Sequence, residues 1–220
     1  MKRISLSFFL LVAMLTGISA QQQPAWAKRA GKSVFTLKTF DSHGTLLGSA
    51  SGFFVGTDGQ AVSSYAPFKG AARAVVIDAG GKEFEVESML GANETYDVSR
   101  FHVAATKTQP LTPTTDIAQE GTPVWLLTYR GQKSLPTGTI GKSETFNGSY
   151  GYYTVAMTMP EGAVGAPLLN EAGQVVGIMQ QPFLDAGDGC YAVSAAFADS
   201  VRISGLSIND PVLRAVKIKK

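Results

Sequence analysis

The side chains able to do chemistry in this 220-residue chain are few. It holds two histidines, His43 and His102, and one cysteine, Cys190. His43 falls in "DSHG" (Asp41–Gly44), a turn sequence, and is expected at the surface. His102 falls in the strand-like "DVSRFHVA", with no second histidine or cysteine at ligand spacing, so no metal centre is expected. "GTIGKS" (Gly138–Ser143) ends like a phosphate-binding loop, but Pro136 stands where that loop needs its first glycine. Strand patterns flank it on both sides, so a β turn is expected and nucleotide binding is set aside. Cys190 is alone, which excludes an internal disulfide and suits a buried structural thiol. No cofactor is expected.

The elements that must position any site read as strands nearly throughout. The chain is 45% hydrophobic and 16% charged, with 24 glycines; average usage is about 7%, so the excess points to many turns between short strands. "SVFTLKTF", "TLLGSASGFFVG", "QAVSS", "RAVVID", "KEFEVESML" and "DVSRFHVA" alternate and are separated by turn residues. "TKTQPLTPTTDIAQEG" (106–121) has two prolines and little periodicity, and reads as a linker. "PVWLLTY", "TGTIGKSETF", "YYTVAMTM", "APLL", "QVVGIMQQ" and "CYAVS" repeat the strand pattern. The expected fold is all-β: two six-stranded antiparallel β-barrels over 33–105 and 122–204. A short C-terminal helix is expected over 205–220, where Asn209 or Asp210 and then Pro211 open "NDPVLRAVKIKK".

Residues 1–20, "MKRISLSFFLLVAMLTGISA", carry a basic start, an apolar run and Ala20 at a cleavable position, the pattern of a secretory signal peptide. The run is shorter than the ~20 apolar residues of a membrane span. "AWA" at Ala25–Ala27 offers a second cleavage site. Residues 21–32 are expected to be a flexible N-terminal segment, with order beginning near Lys32. Export places the protein in the periplasm or outside the cell, with no membrane attachment after cleavage. Cleavage removes two basic residues from the 19 Lys+Arg, leaving 17 against 17 Asp+Glu. A formally neutral chain gives no footprint for nucleic acid.

Three segments together resemble the trypsin-like serine proteases, particularly the bacterial HtrA type. "ASGFFVGTDGQAVSSYAPFKGA" is similar to the stretch leading to that family's catalytic histidine. "GANETYDVSRFHV" is similar to the strand presenting the catalytic aspartate. "GAVGAPLLNEAGQVVGI" is similar to the Gly-Asn-Ser-Gly-Gly-Pro-Leu-Leu nucleophile motif and the strand after it. The likeness runs from about Ser33 to Ser194 in unchanged order.

Carried over residue by residue, the resemblance puts the family's histidine on Tyr65, its aspartate on Asp97 and its serine on Val164. Gly162, Gly165 and Pro167 match the nucleophile motif, whereas its second glycine after the serine is Ala166. Valine has no lone pair with which to attack a carbonyl, and tyrosine, with an ordinary pKa near 10, is a poor base at neutral pH. His102, five positions from Asp97 and roughly 16 Å away at strand rise, cannot pair with it. The resemblance places Cys190 near the specificity pocket rather than beside the triad. Gly162, Ala163 and Val164 could keep a backbone amide cradle, and Met157, Thr158 and Met159 fall where the family lines its primary pocket, although alternating strand core accounts for at least one of these methionines. Asp97 is read as a relic that accepts hydrogen bonds, including one from Tyr65. These readings imply an exported pseudoprotease that binds a protein or peptide ligand. The alternatives are a serine endopeptidase with a rearranged site, or a structural domain whose cleft Tyr65 and Val164 plug.

Overall fold

Alternation along Val34–Phe40 decides the first barrel. Phe35 and Leu37 are fully buried inside it, while Thr36 and Lys38 turn outward and are half-buried, as the two-residue period of a pleated strand requires. The computed structural model describes residues 23–128, 135–146, 150–180 and 190–200. Its first barrel comprises β1 (Val34–Phe40), β2 (Leu46–Phe54), β3 (Gln60–Ser63), β4 (Arg73–Asp78), β5 (Glu83–Asn93) and β6 (Val98–Val103). The second comprises β7 (Pro123–Leu126), β8 (Thr137–Phe146), β9 (Tyr150–Ala156), β10 (Pro167–Leu169), β11 (Val175–Gln180) and β12 (Cys190–Ser194). Both close, in the orders β1-β2-β3-β6-β5-β4 and β10-β11-β12-β9-β8-β7, and closure leaves no long free sheet edge. The expected pair of six-stranded antiparallel barrels is the observed architecture.

One device closes three of the hairpins. Asp41 Oδ1 accepts the amides of His43 and Thr45 at 2.8 Å each. Asp78 Oδ1 accepts those of Gly80 and Lys82 at 2.8 and 2.9 Å, and Asn170 Oδ1 accepts that of Gln174 at 2.9 Å. A short side chain that imitates a backbone turn fixes each reversal, and so the register of the strands it joins.

Three apolar clusters result. Phe35, Phe54, Phe68 and Phe101 fill the first barrel, with ring centroids 4.9–6.2 Å apart. Leu126, Ile140, Tyr153 and Leu168 fill the second. Between the barrels, Phe53, Val62, Leu169, Val175 and Ile178 form a third cluster. The connector 106–121 is laced to both barrels: the Leu111 amide donates to Phe54 O at 2.8 Å and the Thr114 amide to Val175 O at 2.8 Å. A five-residue helix (Ala196–Ser200) follows β12 and seats Phe197 in the interface. The expected helix over 205–220 and the signal peptide over 1–20 lie outside the described residues.

Two sequence expectations change. "GTIGKS" is not a turn: it lies inside β8, where the pairing with β9 slips between Ile140 and Ser143. A Cβ on Gly141 would stand 2.3 Å from Thr154 Oγ1, and that hydroxyl accepts the Lys142 amide at 2.7 Å. The glycine serves a bulge that a partner strand approaches closely.

Order also begins before Lys32. A one-turn helix, α1 (Ala27–Ala30), precedes β1, with Trp26 at its start. The Trp26 indole donates to Glu171 O at 2.9 Å and meets Trp125 edge-on at 6.2 Å. It also lies over Gly173, whose φ of +77° and whose contact of 2.8 Å from an added Cβ to Trp26 Cγ both demand glycine. The segment is therefore held by a large aromatic contact. Trp26→Ala is expected to cost about 2 kcal/mol, less than a fully buried aromatic, read as a lower urea midpoint with unchanged slope.

Candidate functional site

The barrels meet where β3 ends, where β6 begins, and where the loop 161–166 leads into β10. Asp97 sits at the head of β6 with φ +48°, a left-handed conformation that aspartate tolerates better than most residues. Its carboxylate is surrounded by donors. Oδ1 accepts the backbone amides of Tyr65 at 2.9 Å and Ala66 at 2.6 Å, and Oδ2 accepts the Ser64 hydroxyl. Burial pushes the Asp97 carboxyl upward from its ordinary value, against the pull of the Ser64, Ala66 and Tyr65 hydrogen bonds and of Lys69. The expected bond between Tyr65 and Asp97 exists, made by the Tyr65 backbone amide.

The Tyr65 ring is 1% exposed and belongs to the first-barrel core, with the Lys69 ammonium 5.9 Å from its centroid. Ser64 is fully buried beside it. Four buried serines tie this corner together, and residue periodicity gave no sign of them. The Ser63 hydroxyl donates to Ser51 O at 2.6 Å. The Ser99 hydroxyl donates to Ser63 O and Ser64 O at 3.1 and 2.9 Å. The Ser51 hydroxyl crosses to the second barrel and donates to Gly162 O at 2.6 Å. The available signal was a serine at matching places in "ASGF", "VSSY" and "DVSR", on strands that pair in register, Ser63 opposite Ser99.

The loop 161–166 packs against these serines. Gly165 has φ +80°, and a Cβ there would lie 2.3 Å from Ser51 O and 2.9 Å from the Ser64 amide, so only glycine fits. This contact, with the Ser51 amide donating to Val164 O at 2.8 Å, brings Val164 to the same corner as Tyr65 and Asp97. Val164 is half-buried, and the Ala166 methyl is buried in the second-barrel core. Of the expected cradle, the Ala163 amide turns inward to Pro160 O at 3.2 Å. The Gly162 and Val164 amides have no acceptor among the described residues.

Across the junction, Tyr152 of β9 stacks on Tyr96, with centroids 5.4 Å apart and rings at 29°, and Phe197 packs on Tyr96 at 4.6 Å. The Tyr152 phenol is pushed up to about 12 by burial, with Tyr96 and Asp97 adding to the effect. Met157 and Met159 follow β9 and pack, half-buried, against the second-barrel core, while Thr158 is exposed. The Cys190 thiol is buried and donates to Met157 O at 3.1 Å; burial raises its pKa. It is the structural thiol that its sequence setting suggested.

Both histidines lie away from this corner. His102 Nδ1 is 2.7 Å from Glu87 Oε2 on the outer face of the first barrel. His43 is on the β1–β2 turn with its side chain 86% exposed. Ser42 Oγ and Asp41 Oδ2 lie 3.5 and 3.8 Å from His43, but both address the same atom, Nδ1. A proton relay needs partners on opposite ring nitrogens, so this juxtaposition is a turn contact. Among the described residues no group of three His, Cys, Asp or Glu side chains could hold a metal, and no helix is long and apolar enough to cross a membrane.

Two closed six-stranded antiparallel barrels, packed side by side around a shared corner, define the architecture of trypsin-like peptidase domains. The sequence agrees: residues 50–178 match the trypsin-like peptidase domain, and the chain belongs to that family. Among solved structures it is similar to the Rv3671c protease of M. tuberculosis in its active form. The identity is 17%, the TM-score 0.70, and the match covers 86% of this chain and 89% of that one. It is also similar to the inactive form of a serine-to-alanine mutant of Rv3671c from M. tuberculosis H37Rv, at 20% identity and TM-score 0.65, covering 81% and 89%. At these identities the likeness is one of fold. No curated protein matches the sequence.

Proposed function

We propose that this chain is a non-cleaving member of the trypsin-like peptidase family, exported to the periplasm or beyond, that holds a protein or peptide segment in the cleft between its barrels. The observation that carries the reading is Val164 on the glycine loop, at the position to which the resemblance assigns the nucleophile. An aliphatic side chain cannot form an acyl-enzyme. The surroundings of Asp97 support the reading. Its Oδ1 accepts the Tyr65 and Ala66 amides and its Oδ2 the Ser64 hydroxyl, and the side chain at 65, where a triad has its imidazole, is a phenol buried in the first-barrel core. The Gly162 and Val164 amides suit a bound carbonyl, which they would grip without activating anything to attack it. The basic start and apolar run of residues 1–20 support export.

The test is turnover. Purified mature protein incubated with denatured casein is expected to release no peptides detectable by mass spectrometry. Cleavage at defined bonds, retained through successive purification steps, overturns the proposal in favour of an endopeptidase with a rearranged site.

A further inference from the structure

Beside the Glu161–Gly162 turn lies a groove of about 450 Å³ whose two banks differ in charge. The first-barrel bank is the outer face of three adjacent strands. Thr36 pairs across to Ser51 and Ile77, and Lys38 to Ser49, because the alternation that buries Phe35 and Leu37 turns these side chains outward. The opposite bank carries Thr128, Glu161 and Gly162. Lys38 is the only cation lining the groove among the described residues.

Other cations of the first barrel are engaged: Lys69 pairs with Glu94 and Arg73 with Glu85, Lys82 lies over the Phe84 ring and Arg100 donates to Gln60 Oε1. Lys38 makes no ion pair among the described residues, whereas Glu161 has an interaction of its own. Its half-buried stem lies along a wall otherwise made of hydroxyl and aliphatic groups, and the Ser51 hydroxyl is already engaged by Gly162. A neutral segment laid in the groove would cover the ammonium without pairing it, which costs free energy, and a basic one would repel it.

Resting on the peptide-binding reading above, we infer that the groove selects an extended segment bearing an aspartate or glutamate side chain opposite Lys38. The mature chain has no formal net charge to steer acidic partners from a distance, so the selection is local.

The test passes a pool of random octapeptides, acetylated and amidated so that only side chains carry carboxylates, over immobilised mature protein, and sequences what is retained. Aspartate and glutamate are expected at one position about fivefold above asparagine and glutamine, the upper range for a solvent-accessible ion pair, and the enrichment should fade in high salt. Lys38→Gln should abolish the enrichment and Lys38→Glu should replace it with lysine and arginine. Lys38 is on an outer face, so both variants should fold, which their melting temperatures check. Retention without acidic enrichment, or enrichment that survives Lys38→Glu, overturns the inference while leaving peptide binding intact. Failure to retain any peptide overturns both.

Discussion

The double variant Tyr65→His, Val164→Ser is expected to show no measurable peptidase activity and to be less stable than the parent by about 3 kcal/mol, the low end of the range for emptying a large buried aromatic site. The stability loss follows from where Tyr65 sits. Its ring is enclosed in the first barrel with Phe35, Phe68 and Phe101 among its cluster, and an imidazole there is smaller and polar. The absence of activity has a separate cause. A serine hydroxyl needs a base beside it, and that base needs an orienting carboxylate. The Asp97 oxygens already receive Ser64, Tyr65 and Ala66 donors. A histidine at 65 would keep the backbone bond, but its imidazole would inherit the enclosed site of the phenol in the first-barrel core. Loss of the serine or the histidine alone costs a serine protease about 10⁶ in turnover, so two substitutions that restore residue types without restoring geometry should recover almost none of it. Fluorogenic peptide turnover and urea unfolding check the two halves of the prediction.

Asp97→Ala is expected to destabilise the domain by about 2–3 kcal/mol, the cost of leaving a buried hydroxyl and a backbone amide without their charged acceptor. The Ser64 hydroxyl and the Ala66 amide lose their acceptor, while the Tyr65 amide keeps only its longer bond to Asp97 O at 3.3 Å. Asp97→Asn keeps an acceptor for those amides and should cost about 1–2 kcal/mol. Its pH dependence separates a structural carboxylate from an accessory one. Burial raises the Asp97 carboxyl above its unfolded value. The folded state therefore binds the proton more tightly, and the stability this group contributes is complete below the unfolded pKa and is lost as pH rises through the folded one. The parent should thus lose stability relative to Asp97→Asn as pH rises from the acid range to neutrality. A difference between the two proteins that stays flat with pH would show that burial does not dominate at this carboxylate.

How far the sequence reveals this protein depends on the range of the interactions involved. Period-two alternation in "SVFTLKTF" and its successors was enough for two all-β barrels, because each strand's burial is encoded in its own residues. The bulge at Gly141 was not legible. A glycine that serves a close partner strand and one that serves a turn look alike until Thr154 is placed opposite it. Trp26 was missed for a similar reason, since its partners Trp125, Glu171 and Gly173 are about a hundred or more residues away. The strands beside Tyr65 and Asp97 and the glycine bend at Val164 were readable from their own residues. The serine network that joins them was not, because single hydroxyls on separate strands produce no periodic signal. Cys190 was legible because an isolated cysteine in an apolar strand has little else to do.

The most direct measurement is labelling of the folded protein with a biotinylated fluorophosphonate, followed by peptide mapping. No adduct is expected on any serine, including Ser64, whose hydroxyl is buried against Asp97. A stoichiometric adduct on one serine, formed by the native protein and lost on denaturation, would contradict it.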